Sequence, residues 1–148
     1  MIVDILIKAI KIFFNIKREK IRDESDLLYI KKRQLFHKNV PDLEIVKEIA
    51  GESYYLLLEI FNRFDPIKGE NLKKNPNKYK FLTKTVLFKL PAIKSRQELE
   101  DFIALEFTLW FKHGYNNFKR KEELVEEVEG LHQRFAGLDP FESFRHNK

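Results

Sequence analysis

Four histidines, one run of glutamates and one run of lysines are the side chains here whose types and spacing could support chemistry. A histidine metal site or general base needs a second group brought to it, most simply from one helical turn away. His37, His113, His132 and His146 supply no pair at i,i+3 or i,i+4, and no His-Glu-x-x-His occurs. His132 lies on an apolar face, where a core histidine with a hydrogen-bond partner is expected. Glu122, Glu123, Glu126, Glu127 and Glu129 crowd one stretch. Glu123 and Glu127 stand one turn apart, a spacing able to hold a divalent ion or to act as acid and base. Glutamates early in a helix are also favourable with its macrodipole, so a solvated acidic face is the expectation. Without cysteine there is no disulfide, thiolate ligand or thiol nucleophile. Glycine-rich phosphate loops are missing, and no serine sits in a nucleophile elbow. The expectation leans away from an enzyme, and no cofactor or metal is expected.

The lysines carry the more suggestive signal. Between residues 68 and 96 stand Lys68, Lys73, Lys74, Lys78, Lys80, Lys84, Lys89, Lys94 and Arg96, against the single acid Glu70, a net of +8. Residues 98 to 129 hold nine acids and four bases, a net of −5. Lysines neutralise phosphates, and the nearby Tyr79 and Phe81 could stack on exposed bases. A solvated lysine face offset by the acidic helix is the plain alternative. Arginine is the residue of specific base or phosphate-fork recognition, and it is outnumbered eight to one here, so any binding should be nonspecific and salt-sensitive. A second basic region holds Lys17, Arg18, Lys20 and Arg22, diluted by acids, and the cleaner triplet Lys31, Lys32 and Arg33. The candidate nucleic-acid-binding set is therefore Lys31, Lys32, Arg33, Lys73, Lys74, Lys78, Lys80 and Lys84.

Arg33-Gln34-Leu35-Phe36-His37 resembles in outline the Arg-x(4–6)-His motif of helical HEPN ribonucleases. Three residues intervene here, and only Gln34 stands for the polar residue usual after the motif's arginine. The resemblance would imply RNA cleavage around His37; a surface arginine and a helix-terminal histidine is the reading adopted.

The elements that must position these groups read as helices. Residues 2–22 form an amphipathic pattern whose polar stripe runs Asp4, Lys8, Lys11, Asn15. Its apolar run, Ile2 to Ile16, is interrupted by Asp4, Lys8 and Lys11 and falls short of the roughly 20 apolar residues that span a bilayer. It also lacks the layout of a signal peptide. A second segment, capped at Ser25 or Asp26, runs to about Lys38, with Leu27, Leu28, Ile30, Leu35 and Phe36 inward. Pro41 ends it and opens a continuous helix over 42–64, in which Gly51 costs about 1 kcal/mol against alanine and suggests a close helix crossing. Residues 65–77 read as a loop, and 77–90 as a helix despite the β-branched Thr83, Thr85 and Val86. Ser95 and Glu98 form a capping box for a helix ending near Gly114. Asn116 or Asn117 then caps a last long helix to Gly137, and Asp139-Pro140 starts one more turn with Phe141 and Phe144 docking back.

Composition agrees. The 148 residues are 43% hydrophobic, with fourteen Phe, enough for a core without disulfides or metal. Five Gly and five Pro are few for an all-β chain. The net charge of +5 favours anionic partners. We therefore expect an all-α, single-domain bundle of five or six helices covering residues 1–148, cytoplasmic and without a membrane span. Its expected function is nonspecific binding of RNA or single-stranded DNA through the lysine-rich middle, as a small subunit of a nucleoprotein complex. The alternative is a protein–protein module, an immunity or antitoxin-like binder, using the apolar N-terminal helix or the acidic C-terminal helix.

Overall fold

The computed structural model describes residues 24–69 and 71–145. The expected N-terminal helix, the basic group from Lys17 to Arg22, Glu70 and His146 lie outside the described residues. Seven α-helices are present among the described residues: α1 Glu24–Phe36, α2 Leu43–Ala50, α3 Glu52–Phe64, α4 Lys80–Lys89, α5 Arg96–Phe111, α6 Lys121–His132 and α7 Glu142–Arg145. Among these residues no strand occurs, and none of their helices is long and apolar enough to cross a membrane. The chain divides after Lys38 into two units.

The first unit contributes α1. Of the five residues expected inward, Leu27 and Ile30 are buried, whereas Leu28, Leu35 and Phe36 are 52%, 69% and 48% exposed. At 100° per residue those five side chains spread over more than half of the helix circumference, and only the narrow Leu27–Ile30 stripe is covered.

The second unit is built around α4, which packs against α2, α3 and α5, while α6 packs on α3 and α5. Leu82, Thr83, Thr85, Val86, Leu87 and Phe88 of α4 are all buried. That explains how two threonines sit in a central helix. Thr83 Oγ1 donates to the Tyr79 carbonyl at 2.7 Å and Thr85 Oγ1 to the Leu82 carbonyl at 3.2 Å, so neither hydroxyl is stranded in the core. A 3₁₀ turn at Leu90–Ala92, with Pro91 inside it, ends the helix. Ser95 Oγ accepts from the Glu98 backbone N–H at 3.1 Å and caps α5. Glu98 accepts the Lys94 N–H at 3.1 Å, one residue beyond the N-cap N–H of the usual capping box.

Several expected boundaries differ: Ser25 and Asp26 lie inside α1 instead of capping it, and α6 ends at His132, short of Gly137. The last long helix begins at Lys121, because Tyr115–Asn117 forms a 3₁₀ turn that buries Tyr115. The helix expected over 42–64 is two helices, broken at Gly51 with φ +57° and ψ −128°. This break and the short α7 raise the helix count above the expected five or six. A Cβ at Gly51 would meet nothing within 4 Å, so the glycine serves backbone conformation and not a close crossing. The expected sign of a substitution reverses. Gly51→Ala should destabilise by about 1–3 kcal/mol, the cost of an unfavourable backbone region for a side-chain-bearing residue, instead of gaining helix propensity. Thermal or urea melting of the variant checks this.

Candidate nucleic-acid interface

The lysine segment begins where α3 ends. Asp65 closes α3 in the left-handed region at φ 40°, and its N–H bonds the Phe61 carbonyl. That turn points its carboxylate at the far end of the loop. Asp65 Oδ1 receives the Tyr79 hydroxyl at 2.5 Å and Lys78 Nζ at 3.0 Å. Tyr79 Oη accepts the Ile67 N–H at 3.0 Å, and Lys78 Nζ also donates to the Ile67 carbonyl. The Tyr79 ring is fully buried beside Phe61, Phe107 and Phe111. The loop between α3 and α4 is thus tied at its base by one polar knot on an aromatic floor.

Two residues that the sequence offers to a ligand therefore turn inward. The Lys78 side chain is 1% exposed and holds the knot, and Tyr79 has no face free for a base. A periodic pattern cannot reveal this, because the partner of Lys78 is thirteen residues away across a turn. Lys78→Met should lower stability by about 1–3 kcal/mol, since the Ile67 carbonyl and Asp65 lose a donor. Urea melting gives that cost, and the folded variant should bind anionic ligands as the parent does.

The tip of the loop carries Lys73 and Lys74, both exposed. Asn71 holds them on a tight turn: its Oδ1 accepts the Lys73 N–H at 2.8 Å and its carbonyl the Lys74 N–H at 3.1 Å. Lys80 and Lys84, i and i+4 on α4, are half-buried and flank Phe81, with Nζ atoms 5.1 and 5.8 Å from the ring centroid. Burial holds the Lys84 ammonium below the usual lysine range, partly offset by Asp42. Phe81 stacks on Trp110 of α5, with centroids 5.8 Å apart and planes 18° apart. Trp110 Nε1 donates to Thr85 Oγ1 at 3.0 Å. Helical spacing reads Trp110, with Phe107 and Phe111, as core or as the lining of a ligand pocket; its place beside the lysines comes from the α4–α5 packing.

Lys31 and Lys32 are exposed on α1 and Arg33 is half-buried there, with Lys32 Nζ 5.5 Å from the Tyr29 ring centroid. They belong to the first unit, the other candidates to the second.

The acidic helix pairs with arginines. Glu127 takes Arg63 of α3 through two bonds of 2.6 and 2.7 Å, and Arg63 also bonds Glu59 at 3.0 Å. Arg120 pairs with Glu123 at 2.8 Å, and Arg96 lies 3.3 Å from Glu129 and 3.4 Å from Glu100. The Arg63 hydrogen bonds hold the Glu127 carboxyl below the usual range, and Arg120 does the same to Glu123. Glu122 and Glu126 are exposed. Glu123 and Glu127, one turn apart, are each committed to a guanidinium, which opposes their use as a metal or acid–base pair. Among the described residues no group of three or more His, Cys, Asp or Glu is placed to hold a metal ion. His37 closes α1, its N–H bonded to the Arg33 carbonyl at 2.8 Å; His113 is exposed and His132 ends α6.

Comparison with protein-family models, with curated proteins and with solved structures finds no match to this chain.

Proposed function

We propose that this chain is a non-enzymatic, cytoplasmic helical module that binds RNA or single-stranded DNA without sequence preference. The lysine-rich segment would carry the contact, through Lys73, Lys74, Lys80 and Lys84. Lys31, Lys32 and Arg33 form a second candidate group on α1. A small subunit of a nucleoprotein complex fits this description. The observation that carries the reading is the division of labour between the two cations. Arg63 and Arg120, both outside the lysine segment, take up Glu127 and Glu123 of the acidic helix, while Lys73 and Lys74 stay at the surface. The acidic helix is therefore a weak counterweight to the lysine segment. Long, hydrated ammonium groups on an exposed turn suit phosphate contact that is strong at low salt and indifferent to sequence.

The test is an electrophoretic mobility shift with RNA and single-stranded DNA at low salt. A shift at micromolar protein that fades with added salt supports the reading; no shift at that concentration overturns it.

A second reading has its own observation. Leu28, Leu35 and Phe36 expose apolar surface on α1, which favours a protein–protein module of the immunity or antitoxin kind. A stoichiometric partner that stays bound in high salt would favour this reading, because apolar contacts survive screening.

A further inference from the structure

We propose that the cavity between α5, the Tyr115–Asn117 turn and α6 is a binding site for a small primary alkylamine. This goes beyond the nucleic-acid reading and does not rest on it. The cavity holds about 250 Å³, the space of roughly eight water molecules at about 30 Å³ each, so it suits a ligand of a few carbon atoms. Ala104 of α5 and Val125 of α6 give it an apolar wall for an alkyl chain. Tyr115, 5% exposed, also lines it and stacks its ring on Phe107. The side-chain polar atoms that are both enclosed and unpartnered among the described residues are Asn62 Oδ1 and Arg96 Nε. The Tyr115 hydroxyl, also without a partner among those residues, therefore keeps an opening, and the cavity supplies it. Burial, with Glu100 adding to it, pushes that hydroxyl up to about 12. At neutral pH it is a phenol, whose oxygen accepts a hydrogen bond from an ammonium.

The wall charges set the sign of the ligand. Two carboxylates, Glu100 and Glu122, line the cavity against one ammonium, Lys121. Lys121 is already held: it donates to the Asn116 carbonyl at 3.1 Å, and its Nζ lies 5.4 Å from the Tyr115 ring centroid. Glu100 is shared with Arg96 at 3.4 Å. Glu122 is exposed and has no hydrogen bond or ion pair among the described residues, so it is the carboxylate left for an incoming cation. An amine gains a charge-assisted hydrogen bond there, whereas an anion of the same size meets two carboxylates.

The full-length, isotope-labelled protein is titrated at neutral pH and constant ionic strength with n-butylammonium, 1-butanol and butyrate, following backbone amide NMR shifts. Saturable shifts centred on Glu100, Ala104, Tyr115, Glu122 and Val125 are expected with butylammonium. Binding of 1-butanol, the same chain without the charge, should be at least about tenfold weaker. Glu122→Gln should weaken butylammonium binding about tenfold. Tyr115→Phe, which removes the hydroxyl and keeps the ring on Phe107, should weaken it about threefold. No saturation by about 50 mM amine overturns the site. Equal binding of 1-butanol or butyrate, shifts spread along the acidic helix, or unchanged affinity in either variant also overturns it. The titration of the unmodified protein decides the matter even if a variant fails to fold. None of these readouts involves nucleic acid, so the amine site and the lysine contact stand or fall separately.

Discussion

Replacing Lys73, Lys74, Lys80 and Lys84 together by Glu is expected to weaken binding to single-stranded RNA or DNA by at least about a hundredfold at low salt. The estimate follows from counterion release. Each lysine that neutralises a phosphate on a single strand contributes about −0.7 to the slope of log affinity against log salt, so four contacts give a slope near −2.8. Raising salt from about 50 to about 200 mM should then cost the parent protein roughly fiftyfold in affinity. Charge reversal removes the same contacts and adds repulsion, so the variant should fall further and lose its salt dependence. Fluorescence anisotropy over a salt series measures both quantities at once. Unchanged affinity and slope in the variant would move the contact elsewhere, with Lys31, Lys32 and Arg33 the next group to reverse. Lys73 and Lys74 sit on an exposed turn, so Lys73→Glu with Lys74→Glu should retain the fold by circular dichroism and lose part of the affinity, which separates a lost contact from any unfolding caused by charge reversal at the half-buried Lys80 and Lys84.

Phe107→Ala is expected to be the most damaging single change to stability, costing about 3–5 kcal/mol. Phe107 is fully buried. Its ring stacks on Tyr115 with centroids 4.4 Å apart, meets Phe61 edge-on at 5.6 Å and lies 6.3 Å from Tyr79. It joins α3, the base of the lysine loop, α5 and the turn before α6. Truncation loses the transfer energy of a large ring and leaves a cavity among aromatic neighbours that cannot collapse into it. Chemical denaturation of the variant measures the loss. A cost below about 1 kcal/mol would mean that this aromatic cluster does not hold the helices together.

Both predictions draw on features unequally visible in the sequence. Helical spacing made α3 and α5 legible. The choice of helix over strand for α4 rested on Tyr79, Leu82, Val86 and Leu90 against the β-branched Thr83 and Thr85, and the structure has a helix there. Spacing won because the threonine hydroxyls find carbonyls within their own helix. The break at Gly51 was invisible because α2 and α3 both turn apolar residues, Val46 and Leu57 among them, toward one core. The pattern therefore runs on across a residue whose φ sign it does not encode. The exposure of Leu28, Leu35 and Phe36 was equally hidden, since apolar composition says nothing about how wide a stripe is covered.

The sequence by itself determined the helical class, most helix positions, the lack of cysteine chemistry and the crowding of positive charge between residues 68 and 96. These follow from local spacing and composition, which one dimension records. Tertiary structure alone decided how each charge is used. It turned Lys78 inward to Asp65 and left Lys73 and Lys74 on the surface. It also spent three arginines on the acidic helix, buried Tyr79 and set Trp110 beside Phe81. A charge acquires its role from the partner that desolvation and geometry bring to it, and those partners lie on other turns of the chain.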